Sequence, residues 1–151
     1  MQSFYRVVFT LAFAILATSV EAEDRLSQKS IPSVSERAFC KHVLQGELFA
    51  RTELFFGLSK PGGVVTEIEF QTFIDNEVTP RFPEGLTLLS GIGQFQDQSR
   101  AIIREGSKLL ILLYPFSRER STAIEAIRSA YKKDFQQQSV LRVDEQSCVS
   151  F

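Results

Sequence analysis

Between Lys108 and Pro115 the chain reads Leu-Leu-Ile-Leu-Leu-Tyr, with no polar residue before the closing tyrosine. Such a run is far shorter than the roughly 20 apolar residues a membrane helix needs, and its unbroken hydrophobicity marks a strand covered on both faces. A strand of this kind has to sit inside a layered domain or under a partner. Upstream, Leu48 to Phe56 alternates, with Leu48, Ala50, Thr52, Leu54 and Phe56 on one side and Phe49, Arg51, Glu53 and Phe55 on the other. Both sides are partly apolar, so this segment reads as a second central strand.

Helices separate the strands. Thr66 and Glu69 have the spacing of a capping box, in which hydroxyl and carboxylate satisfy free amides at a helix start. Phe70, Phe73, Ile74 and Val78 then recur at helical spacing until Thr79-Pro80 ends the helix. Leu86 to Gln96 follows as a strand whose glycines suggest a bulge, and Asp97 to Arg100 turns the chain into the third strand, which starts near Ile102. Ser117 opens a second helix with Ile124, Ile127, Tyr131 and Phe135 facing inward, and Ser139 to Asp144 is a short last strand. The order βαββαβ predicts an α+β, ferredoxin-like domain over residues 47–151: a four-stranded antiparallel sheet with two helices on one face. Right-handed crossovers put the first and third strands in the centre.

The two ends of the chain speak to compartment. Residues 1–22 combine Arg6, a short apolar core and a Val20-Glu21-Ala22 site, the pattern of a cleaved secretory signal peptide. Residues 23–46 are polar and read as a linker. Export to a periplasmic or secreted location places Cys40 and Cys148 where disulfides persist, so these two are expected to pair; no membrane span remains after cleavage. His42 is the sole histidine, and no ligand cluster of metal-binding spacing accompanies it, so no metal site and no cofactor are expected. A formal net charge of −1 gives no electrostatic reason for nucleic acid as a partner.

From Arg51 onward the chain resembles a family of exported bacterial proteins known only as a domain of unknown function. The residues that carry the resemblance are Arg51-Thr-Glu-Leu-Phe-Phe-Gly-Leu-Ser59, Val78-Thr-Pro-Arg-Phe-Pro-Glu-Gly-Leu-Thr87, Ser107-Lys108 with Leu112-Leu113, and Ile127-Arg-Ser-Ala-Tyr131 running on to Ser139-Val-Leu-Arg-Val-Asp144. The resemblance implies no activity, substrate or catalytic residue.

With both helices on one side, the other sheet face becomes the candidate site. Arg51, Glu53 and Phe55 are expected there, joined by either Arg142 and Asp144 or Leu141 and Val143, because strand register does not follow from sequence. Paired guanidinium groups would suit a small anionic ligand. Arg81, in the rigid loop Thr79 to Gly85, is a further candidate, as are Lys108, in a polar patch that could form a bulge, and Tyr114. The leading expectation is a non-enzymatic binding or interaction domain that pairs as a homodimer through this face. The alternative is a small cofactorless enzyme, an isomerase or a monooxygenase-like one, using Arg51, Glu53 and Tyr114 in a pocket on the same face.

Overall fold

The alternation of Leu48 to Phe56 becomes a strand because every second side chain can be buried while the backbone pairs on both edges. In the computed structural model, which describes residues 34–151, this is β1, Glu47–Gly57. The expected signal segment and residues 23–33 of the expected linker lie outside the described residues. The remainder of that linker holds a helix, α1, Val34–His42, with Glu36 in its first turn and Lys41 and His42 in its last, each placed to favour the helix dipole.

After β1 a small hairpin of β2, Ser59–Lys60, and β3, Gly63–Val64, turns at Pro61-Gly62. Helix α2, Glu67–Phe73, starts with the expected capping box at Thr66 and Glu69 and continues into a π-helical turn, Ile74–Val78. Strands β4, Thr87–Gln96, and β5, Ile102–Tyr114, form a hairpin; α3, Arg118–Asp134, leads to β6, Leu141–Val149. All four long strands pair antiparallel in the order β4-β5-β1-β6, so the two strands read as central are central. The architecture is α+β, with three helices among the described residues. The predicted bulges do not form: β4 and β5 pair without interruption from Thr87 opposite Ile111 to Gln96 opposite Ile102, and glycines 91 and 93 lie in regular strand.

One face of the sheet is sealed. Ala50, Leu54 and Phe56 from β1 and Leu110 and Leu112 from β5 pack against Phe70, Phe73, Ile74 and Val78 of α2 and its π turn, and against Ile124, Ile127 and Tyr131 of α3. The ring of Tyr131 sits 4.5 Å from Phe56 and 5.1 Å from Phe73 in edge-on contacts, a geometry worth about 0.5–1.5 kcal/mol per pair beyond burial. Its hydroxyl donates to the Gly57 carbonyl at 2.8 Å, so the largest core side chain also leaves no polar atom stranded.

Cys40 and Cys148 are bonded, with Cα atoms 5.6 Å apart and a sequence separation of 108. Cys148 pairs with Leu48 across the β1–β6 ladder, so the bond ties α1 to the last strand. Cys40 is the one buried residue between positions 36 and 42, and an isolated helix of this length is marginal in water. The disulfide is what fastens α1 to the domain.

Two outcomes follow. Closing a loop of this size stabilises by about 4–5 kcal/mol in the chain-entropy model; a Cys40→Ser/Cys148→Ser variant should therefore unfold at a clearly lower urea concentration, and an unchanged midpoint would refute the role given to the bond. Burial, aided by the charge of Glu105, raises the Tyr131 phenol above its ordinary value near 10. A group whose folded pKa is raised stabilises fully below its unfolded pKa and loses that stability as pH climbs above it. Tyr131→Phe should cost about 0.5–1.5 kcal/mol at neutral pH and flatten the decline above pH 10 in alkaline melts.

Candidate functional site

Among the described residues no helix covers the second face of the sheet. Side chains directly opposite in a sheet share a face, so the register defines its rows. Leu89, Leu109, Phe55 and Leu141 form one; Thr87, Ile111, Glu53 and Val143 the next; Leu113, Arg51 and Glu145 a third. Leu89 is 50 % exposed, Leu141 59 % and Leu113 42 %. Phe95 and Ile103 extend the apolar surface along the β4–β5 hairpin, and both are exposed.

Arg51 and Glu53 stand in this surface as expected. The Arg51 guanidinium meets Glu53 Oε1 at 2.5 Å and Glu145 Oε1 at 3.0 Å, so its charge is met by two carboxylates of the same face. Its Nε is buried and has no hydrogen-bond acceptor among the described residues. Glu105 folds over Gly57, where a Cβ would lie only 2.9 Å from the carboxylate, and accepts from the Ser59 amide at 3.0 Å. A side chain at position 57 would therefore push the flexible end of Glu105 aside.

Register separates the other candidates. Arg142 and Asp144 stand opposite Leu54 and Thr52 and so lie on the helix-covered face; of the two pairings left open by the sequence, Leu141 and Val143 are the ones beside Arg51 and Glu53. No cluster of Arg51, Glu53, Arg142 and Asp144 forms. Tyr114 pairs with Ala50 and Lys108 with Phe56, again on the helix side, so Tyr114 cannot share a pocket with Arg51 and Glu53. Lys108 is 8 % exposed and is held by Glu67 at 2.6 Å and Ser90 at 2.8 Å, over the Phe70 ring. Arg81 turns back onto the end of its own helix, donating to the Glu77 carbonyl at 2.5 Å and pairing with the Glu77 carboxylate. Its loop is clamped from α3 by Arg120, which holds Glu84, donates to the Arg81 carbonyl and covers Phe82.

Sequence reading missed a polar chain that runs under α3. The Tyr114 hydroxyl meets Thr52 Oγ1 at 2.6 Å, Thr52 donates to Asp144 at 2.6 Å, and Arg142 Nε donates to Asp144 at 2.8 Å. Arg142 then reaches Glu125 of α3 at 2.8 Å. Burial works against the Arg142 charge, but the hydrogen bonds to Asp144 and Glu125 outweigh it and raise the pKa. Glu125 is in turn held below the ordinary carboxylate range, first by Arg142 and then by Arg128. With Thr52 fully buried, the chain bolts the edge strand and α3 to the centre of the sheet. Thr52 stood out as the one polar member of a buried stripe; its partners lay beyond reach of sequence because they depend on the parity of β6.

An α+β domain with one face sealed by helices and the other left as an apolar surface around a compensated ion pair is thus the class this chain defines. The chain belongs to the family described as protein of unknown function (DUF3574), whose pattern matches residues 51–151. Among solved structures, a phage SAM lyase in complex with S-methyl-5'-thioadenosine is similar, with a TM-score of 0.51 and 16 % identity over 68 % of this chain and 90 % of that one. The phage SAM lyase in its apo state gives a TM-score of 0.48 at the same identity and coverage. At that identity the likeness is one of fold. No curated protein matches the chain.

Thr52→Val keeps the shape of the side chain and removes the link between Tyr114 and Asp144. Asp144 is 47 % exposed and can turn to water, so the cost comes mainly from the stranded Tyr114 hydroxyl, about 1–3 kcal/mol. Urea unfolding measures it; a variant as stable as the parent would show that the polar chain does not brace the sheet.

Proposed function

We propose that this is an exported, non-enzymatic binding or interaction domain of ferredoxin-like build that works through its bare sheet face, pairing there with a second copy of itself. The observation that carries the reading is the set of apolar rows from Leu89 to Leu141 on a face without a helix, since large exposed apolar patches mark interaction surfaces. With strands about 4.8 Å apart, the face measures roughly 20 by 25 Å, or about 500 Å². That approaches the roughly 800 Å² each partner contributes to a standard interface. A second copy suits it because Arg51 is already offset by Glu53 and Glu145, so two such faces meet without strong like-charge repulsion, and an acceptor from the partner could satisfy Arg51 Nε. The strand order, with β1 and β5 central, supports the ferredoxin-like assignment.

Export draws on the signal pattern of residues 1–22 and on the Cys40–Cys148 bond, which suits an oxidising compartment. Among the described residues no helix is long and apolar enough to cross a membrane.

Multi-angle light scattering on the oxidised protein should give twice the chain mass, and Ile111→Glu, a charge in the middle of the face, should give a monomer with unchanged circular dichroism. A strict monomer at high micromolar concentration, or a dimer that survives Ile111→Glu, would overturn the pairing. A small molecule retained in native mass spectra would instead favour the enzymatic alternative on this face.

A further inference from the structure

Where α1 meets β1 the backbone is forced into a tight corner. Gln45 adopts a left-handed φ of 52°, uncommon for a residue with a side chain. Gly46 follows, donating to the Cys40 carbonyl at 2.9 Å. No other residue fits at position 46: a Cβ would lie 2.5 Å from the Val149 carbonyl oxygen and 2.9 Å from Cys148 Sγ. This corner, pinned by the disulfide, opens a cleft of about 750 Å³ whose wall includes Arg37 and Lys41 of α1, Gln45, Leu48 and Phe116.

The lining has a definite chemistry. Arg37 and Lys41 stand four residues apart and therefore on one side of α1. Lys108, Arg120 and Arg142 are each met by a carboxylate of another element; among the described residues Arg37 and Lys41 form no ion pair. Glu47 is the single carboxylate on the wall. Phe116, also on the wall, is 48 % exposed and adds an apolar surface to the same cleft as the two cations. The volume falls within the roughly 300–1,000 Å³ of small-molecule sites and is far larger than an inorganic anion requires. We infer that this cleft binds a small organic anion, a carboxylate, sulfonate or phosphate held by Arg37 and Lys41, with an aromatic or alkyl body laid against Phe116 and Leu48. Guanidinium recognises such head groups through paired, charge-assisted hydrogen bonds.

The site is separate from the bare sheet face, and one probe distinguishes them. 8-Anilinonaphthalene-1-sulfonate, a sulfonate on an aromatic body, titrated into the ¹⁵N-labelled oxidised protein should shift amides of residues 37–48 and 116. Arg37→Ala/Lys41→Ala, at two exposed positions, should weaken binding by about tenfold or more, and Phe116→Ala should reduce the fluorescence gain. Unchanged affinity in the double variant would overturn the inference. So would shifts confined to residues 109–113 and 141–143, which would place the probe on the bare face and leave the reading of that face intact.

Discussion

Everything in this domain depends on β1 being paired on both edges while its side chains alternate between two environments. One parity of the strand, Ala50, Thr52, Leu54 and Phe56, enters a core sealed by α2 and α3. The other, Phe49, Arg51, Glu53 and Phe55, goes to a surface that no helix of the described residues covers. Because the side-chain period is two, each neighbour's register then decides, residue by residue, which chemistry belongs to the core and which to the surface.

The two faces treat polar groups differently. Under the helices each buried polar side chain has its partner: Thr52 between Tyr114 and Asp144, Lys108 between Glu67 and Ser90, the Tyr131 hydroxyl on Gly57. Those arrangements fix the positions of the groups that make them. On the bare face the guanidinium of Arg51 keeps a buried nitrogen with no acceptor among the described residues.

Much of the fold was legible because its signals are local. The capping box at Thr66 and Glu69, the helical stripes through Phe70 to Val78 and Ile124 to Tyr131, and the uniform run ending at Tyr114 each reflect burial of one element against the rest. The candidate site was only half legible. Arg51, Glu53 and Phe55 could be assigned relative to their own strand, but Arg142, Lys108 and Tyr114 needed the pairing of strands far apart in sequence, and a one-residue change of register would have reversed each of them. Helix α1 was hidden for another reason. It buries only Cys40 between positions 36 and 42, so it shows no apolar stripe, and its place is set by a covalent bond. Glycines 91 and 93 suggested bulges and sit in regular strand; the structure offers no packing reason for Gly91, whose missing side chain would meet nothing.

The Cys40–Cys148 bond also has a mechanical consequence. Strand β6 lies at the sheet edge and is the last long element of the chain, the part that would peel away first under load. Tension applied from the N-terminal side and from the C-terminus passes from Cys40 straight to Cys148 through a covalent link, bypassing the ladder of β1 and β6. The sheet is shielded from force, and a cut anywhere in the enclosed loops leaves the two fragments joined.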